Sequence, residues 1–224
     1  MAKNAETRVS HEWIYQHIYA DKRAGGDLHK HLRCQKKRRK RYGSNDRRGQ
    51  IPNRVSIEQR PALVEQRKRL GDWEGDTVIG KKSRYALVTL VERMSRFTLI
   101  KRMDNRTAAV TKRAIIQLLK PYKLKTLTIT LDNGKEFTAH QDIARELGAE
   151  VYFAHPYASW ERGTNENTNG LLRQYFPKGS DFSKITNRQV KYAQKHLNSR
   201  PRKCLGARTP EMVFFNLSDV ALDT

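Results

Sequence analysis

Three short runs rich in Val, Ile, Thr and Leu follow one another at Trp73–Gly80, Tyr85–Glu92 and Arg96–Arg102. The links between them are too short for a crossover, so they predict strands that pair antiparallel with their neighbours. The period then changes. Thr107–Leu119, with Val110, Ala114 and Leu118 four apart, predicts a helix that stops at Pro121. Thr126–Leu131 predicts a fourth strand, Gln141–Leu147 a helix ended by Gly148, and Glu150–Ala154 a fifth strand. Helices over Gly163–Tyr175 and Asn187–Leu197 follow, the second ahead of Pro201. The order βββαβαβα admits few arrangements. It predicts an α/β fold, a mixed five-stranded sheet with helices packed on its faces.

Composition narrows the partners. The 224 residues carry 45 Lys+Arg against 23 Asp+Glu, a formal net charge of +22. Such an excess calls for a polyanion, nucleic acid ahead of acidic lipid. No apolar run approaches the roughly 20 residues needed to span a bilayer, and no cationic start leads into an apolar stretch. No membrane is therefore expected. Cys34 and Cys204 stand far apart with no metal-ligand spacing, which excludes a disulfide scaffold or zinc finger and makes a reducing cytoplasm the expected compartment.

The charge is unevenly spread. Residues 1–60 hold 16 Lys/Arg and 6 Asp/Glu, nearly half the excess in the first quarter of the chain. Its centre is the run Lys36, Lys37, Arg38, Arg39, Lys40 and Arg41, where adjacent like charges repel and add nothing to a core. Gly43, Gly49 and Pro52 then break any helix. Residues 34–56 read as an arm, either a solvated linker or a strap on a nucleic acid backbone. Ahead of it, Val9–Tyr19 predicts a helix capped by Ser10.

Acids are scarce, so their placement matters. Asp76 lies in a predicted strand, Asp132 ends one in Asp132-Asn133-Gly134-Lys135-Glu136-Phe137, and Glu166 lies near a helix start. Strand ends are where α/β folds present site residues. On the helix, Thr168, Leu171, Leu172 and Tyr175 form one stripe and Glu166, Asn169 and Arg173 another, so Glu166 can project beside the sheet edge where Asp132 ends. Three carboxylates drawn together persist only with cations. Oxygen ligands suit Mg2+ or Mn2+, and two such ions about 4 Å apart support phosphodiester chemistry. Ordinary salt bridges with the abundant Lys and Arg are the competing explanation. Spacing alone does not separate Asp76 from Asp72 and Glu74, which share its strand parity, or Asp132 from Glu136.

Gly71-Asp72-Trp73-Glu74-Gly75-Asp76, the Asp132–Phe137 turn, Trp160-Glu161-Arg162-Gly163-Thr164-Asn165-Glu166-Asn167-Thr168-Asn169-Gly170-Leu171-Leu172-Arg173-Gln174-Tyr175, Asn198–Lys203 and Thr209-Pro210-Glu211 together resemble the IS-thirty family of bacterial insertion-sequence transposases. The resemblance runs from about Val9 to Phe215. It implies an RNase H-like integrase catalytic core and a DDE triad of Asp76, Asp132 and Glu166 as catalytic and metal-binding residues. Thirty-three residues lie between the last two. It also implies metal-dependent cleavage at element ends, attack of the freed 3′-hydroxyl on target DNA, and a homo-oligomer on DNA. Such transposases carry a longer N-terminal helix-turn-helix region, of which Val9–Tyr19 resembles the last helix. The expected division is a remnant of that region over 1–33, a basic arm or linker over 34–60, and a catalytic domain over 61–224. A non-catalytic DNA-binding product that inhibits or co-assembles with a full-length transposase is the alternative.

Several neighbours are candidates for DNA contact. Asn133 and Lys135 can orient a scissile phosphate or merely serve the turn. Asn165 and Asn169 lower helix propensity, which suggests hydrogen bonding to DNA or to metal-bound water. Arg162 and Arg173 suit phosphates or surface ion pairs. His155 reads as a loop residue, and Trp160 as core packing rather than a base-stacking platform.

Overall fold

The computed structural model describes residues 9–31, 51–81, 84–156 and 158–217. The basic run Lys36–Arg41 lies outside the described residues. The chain forms two compact units, one up to Arg47 and one from Arg48 onward. In the first, α1 spans His11–Arg23 and is capped by Ser10, whose hydroxyl accepts the Trp13 N–H at 3.2 Å. None of its residues is buried.

The second unit opens with β1 (Val55–Ser56) and the short α2 (Leu63–Gln66), followed by β2 (Asp72–Ile79), β3 (Ala86–Glu92), β4 (Thr98–Met103) and α3 (Ala108–Leu119). Then come β5 (Thr128–Leu131), α4 (His140–Leu147), β6 (Glu150–Phe153), α5 (Gly163–Leu172), α6 (Asn187–Ser199) and α7 (Pro210–Phe215). The sheet order is β1-β6-β5-β2-β3-β4. The β2–β3 and β3–β4 pairs are antiparallel, and the other three pairs are parallel.

The sheet has one strand more than the five expected. Val55 and Ser56 pair in parallel with Tyr152 and Phe153, and Ile51 and Arg60 are buried. Residues 51–60, read from sequence as part of the arm, pack with the sheet. Two residues are too short to show a period, which is why the strand left no signal.

Both faces of the sheet are covered. On one, Trp73, Val88, Leu90, Ile129 and Leu131 pack with Ile115, Leu119, Ile143, Leu147 and Phe214. On the other, Val78, Leu87 and Ile100 pack with Leu172, Val190, Ala193 and Leu197 of α5 and α6. β3 is buried throughout, as expected for a strand with helices on both sides. Gly148 ends α4 at φ 66°, the left-handed cap where glycine costs nothing. The helix α5 ends at Leu172 rather than Tyr175, and the buried residues on it are Thr164, Asn165, Thr168 and Leu172.

Candidate active site

Alternation along a strand puts Asp72, Glu74 and Asp76 on the same face of β2 as Val78, the face that α5 covers. On β5 the same face carries Thr128 and Thr130. The parallel register pairs Asp72 with Thr128 and Glu74 with Thr130. The next same-face step in that register sets Asp76 beside Asp132, just past the end of β5. Neighbouring strands run about 4.8 Å apart, so two acids 56 residues apart in sequence become neighbours by register alone.

Each carboxylate is held. Asp76 Oδ1 accepts the Thr77 N–H at 2.8 Å and Oδ2 accepts from Asn169 Nδ2 at 2.8 Å. Asp132 Oδ1 accepts the Gly134 N–H at 2.9 Å. A Cβ on Gly134 would sit 2.9 Å from that oxygen and 2.7 Å from Glu136 Oε2, so a larger residue here would push both carboxylates aside. Arg162 spans the pair: Nη1 is 3.5 Å from Asp76 Oδ1 and Nη2 is 3.5 Å from Asp132 Oδ2. Nη1 also donates to Gly75 O at 3.3 Å. Burial pushes the Asp76 carboxyl up to about 6, against the pull of Arg162 and with a further push from Asp132. Asp132, Asn133, Gly134, His155 and Arg162 line a cavity of about 400 Å3.

The two aspartates fit a divalent cation in donor chemistry, since both offer hard oxygens at one place. The Arg162 guanidinium is the stand-in cation between them. Among the described residues, no group of three or more His, Cys, Asp or Glu side chains is placed to hold a metal ion. Glu166 is exposed and does not join the pair. Its helix is nonetheless docked beside it. The Asn165 N–H donates to Glu74 Oε2 at 2.9 Å, and Asn169, one turn after Glu166, reaches Asp76.

The remaining candidates separate. Asn165 is fully buried, with Thr89 Oγ1 3.2 Å from its Oδ1, so its side chain supports the helix and offers no surface to DNA. Asn169 is committed to Asp76 and to Thr89 Oγ1 at 3.0 Å. Arg173 Nη2 donates to Ile79 O at 3.1 Å and ties the end of β2 to the end of α5. Asn133 donates to Ala154 O at 2.6 Å and accepts from Arg54 Nη1. Lys135 is exposed on the turn. Trp160 is 75% exposed rather than part of the core. The short helical turn before α5 carries it outward.

His155 is more than a loop residue. Its Nδ1 lies 2.7 Å from Glu161 Oε1 and its Nε2 3.2 Å from Glu58 Oε1. The Glu161 carboxylate, then Glu58, raises its pKa above the usual range. It fastens the segment leading into Arg162 to the rim of the cavity. No sequence pattern announces this clamp, because Glu58, 97 residues from His155, reaches it only through the pairing of β1 with β6.

Residues 66–159 match the integrase core domain family. The chain is 49% identical over 207 residues to the transposase for insertion sequence element IS4351 of Bacteroides fragilis, covering 92% of this chain and 64% of that protein. It is 42% identical to the transposase for IS1086 of Cupriavidus metallidurans, covering 93% and 62%. With transposase InsI for IS30A of Escherichia coli K12 it shares 38% identity, covering 92% and 55%. The chain thus spans roughly three fifths of the length of these relatives. Among solved structures it resembles the catalytic core domain of BIV integrase, with a TM-score of 0.53, 24% identity and coverage of 65% of this chain and 93% of that one. It also resembles a chain of the simian T-cell lymphotropic virus intasome, with a TM-score of 0.56, 19% identity and coverage of 68% and 56%. These likenesses show an RNase H-like fold. Residues 66–159 thus match an integrase core domain, and nearly the whole chain is similar to insertion-sequence transposases, those of IS30 elements among them.

Proposed function

We propose that the chain is the catalytic part of a DDE transposase, which cleaves DNA at insertion-sequence ends and transfers the freed 3′-hydroxyl into target DNA. One observation carries this reading: Asp76 and Asp132 are brought together by strand register and share a single cation, Arg162, with Asp132 and Arg162 lining a cavity. Asp76 and Asp132 would hold Mg2+ or Mn2+, with Glu166 as the third ligand. A divalent ion there polarises a phosphoryl oxygen and lowers the pKa of an attacking water or 3′-hydroxyl. Asn169 fixes the Asp76 carboxylate through its 2.8 Å hydrogen bond, and Gly134 fixes Asp132. Arg162, once free of the pair, is placed to meet a phosphate. Lys135, exposed at the same turn, and the basic run Lys36–Arg41 extend the contact along the DNA backbone. Neither Asn165 nor Arg173 is assigned a DNA contact, because both are committed within the protein. A homo-oligomer assembled on DNA completes the proposal.

Glu166 is three residues from Asn169 on the same helix, and side chains so spaced are neighbours about 5–6 Å apart at Cβ. Turning its side chain toward Asn169 brings the third carboxylate to the pair. Asp132→Asn and Glu166→Gln are expected to abolish Mn2+-dependent nicking of element-end duplex while duplex affinity survives. Full activity in either variant removes that residue from the mechanism.

The exposure of Glu166 favours a second reading, a non-catalytic DNA-binding product that co-assembles with a longer transposase. Wild-type chain that binds element-end duplex but does not nick it with Mn2+ selects that reading.

A further inference from the structure

A second cavity, of about 230 Å3, is lined by Arg67, Arg96, Arg202, Thr164 and Cys204. The three arginines come from separate places: the segment before β2, the turn between β3 and β4, and the loop after α6. Their convergence is a product of the fold.

Among the described residues, none of the three makes an ion pair with a carboxylate. Arg96 Nη1 donates to Thr164 Oγ1 at 2.7 Å and Arg202 Nη2 to Leu197 O at 3.0 Å. Arg202 Nε is buried with no acceptor. Glu74, a carboxylate that acts electrostatically on Arg67, is already committed to Arg93 at 3.1 Å and to the Asn165 N–H. Burial, together with the positive charges of Arg96 and Arg93, presses the Arg67 guanidinium below its usual range. Burial and then Arg200 do the same to Arg202. Three like charges, Arg67 exposed and Arg96 and Arg202 half-buried, therefore gather at one cavity with no carboxylate of the described residues paired to any of them, an arrangement that a bound anion would complete.

The backbone contributes to the placement. Arg67 has φ 52° and Arg96 φ 64°, a left-handed conformation uncommon outside glycine and a store of strain. Planar guanidinium forks match the oxygens of a phosphate, and three forks exceed what one carboxylate can accept.

We propose that Arg67, Arg96 and Arg202 form a phosphate-binding site, separate from the aspartate pair, that holds one phosphodiester of a DNA strand. The proposal rests on the reading that the chain acts on DNA. Thr164, bonded to Arg96, is two residues from Arg162, which lies between Asp76 and Asp132. A phosphate seated on Arg96 therefore fixes the first turn of α5, and with it the position of the strand relative to the carboxylates.

Two measurements on the full chain test the site. In the first, affinity for labelled duplexes of unrelated sequence is followed against salt. Arg67→Gln with Arg202→Gln is expected to flatten the log–log slope by about 0.9, the value of one phosphate, equally for every sequence, while Arg67→Lys with native Arg202 retains most of it. In the second, Cys34→Ser leaves Cys204 as the only thiol, and its reaction with a disulfide reagent is timed. Duplex at saturation is expected to slow it severalfold. Slowing by inorganic phosphate as well shows a site for the phosphate group itself, and slowing by duplex alone shows a site specific to the DNA backbone. An unchanged salt slope in the folded double variant overturns the proposal, as does an unprotected Cys204 in the otherwise wild-type chain. Asp132-dependent nicking with an unchanged slope sinks the phosphate site alone. A flattened slope without nicking sinks the catalytic reading alone.

Discussion

The two ends of β2 carry the same kind of residue and treat it oppositely. Asp72 accepts two hydrogen bonds from Arg69, at 2.9 and 3.0 Å, and one from Thr128 Oγ1 at 2.8 Å. Glu74 is fully buried against Arg93 and the Asn165 N–H. Both acids are closed into the protein and hold the sheet to its surroundings. Asp76, two residues on, has only Arg162 among the described residues as a counter-charge, at 3.5 Å, and Arg162 and the neighbouring Asp132 line a cavity. Asp72 has its hydrogen-bond partners in full, and Glu74 answers the buried charge of Arg93. Asp76 accepts from Thr77 and Asn169 but meets no counter-charge closer than Arg162, and burial raises its carboxyl to about 6.

Substitutions at the two ends should therefore differ in kind and in sign. The largest effect is expected at the site itself: Asp132→Asn lowers nicking at least about a thousandfold, about 4 kcal/mol in barrier, with the urea midpoint little changed. A parallel loss of fold would make Asp132 structural like Asp72. Next, Glu74→Ala leaves Arg93 buried with only Glu65 opposite, at 2.9 Å. Breaking a buried pair costs about 3–5 kcal/mol, and the remaining partner favours the lower end, about 3 kcal/mol by urea unfolding. A neutral result would erase the distinction between the two ends.

Asp76→Asn should move stability the other way. The folded carboxyl at about 6 stands above its ordinary 3.8, so the folded state takes up the proton more readily. The stabilisation from that proton is full below pH 3.8 and is lost as pH rises through 6. Removing the charge is expected to stabilise the metal-free protein at pH 7.5 by up to about 3 kcal/mol, and to do little near pH 4. Unfolding midpoints in EDTA at the two pH values measure it, and a loss at pH 7.5 would mean that Arg162 compensates Asp76 fully. The smallest effect belongs to His155. Its folded pKa is raised, so its contribution is present below its ordinary 6.5 and fades as pH climbs through the folded value. His155→Gln should flatten the melting temperature against pH above about 6.5. An unaltered profile would detach the Glu58–His155–Glu161 clamp from stability.

Much of the fold was legible because its strands and helices carry strong local periods. β2 to β6, α3, α4 and α6 lie within a few residues of their expected bounds, and Ser10 and Gly148 mark ends by cap chemistry that depends on a single residue. β1 was not legible, being too short for any pattern and set within a basic stretch. Asp76 and Asp132 were candidates from context, yet their parity could not exclude Asp72 or Glu74. Asn165 and Arg173 looked polar enough for DNA, and the fold spends both internally. Trp160 looked like core and is outside, because side-chain character does not fix direction on an irregular turn.

By itself the sequence determined the order of strands and helices, the excess of positive charge, and a small set of acids at strand ends, since each is a property of neighbouring residues. Tertiary structure alone decided which acids meet. The β2–β5 register brings Asp76 to Asp132, and the docking of α5 places Arg162 between them and leaves Glu166 at the surface. It also gathers Arg67, Arg96 and Arg202 into one cavity. Electrostatic pairing depends on distance in space, and in a sheet built from parallel crossovers that distance bears little relation to separation along the chain.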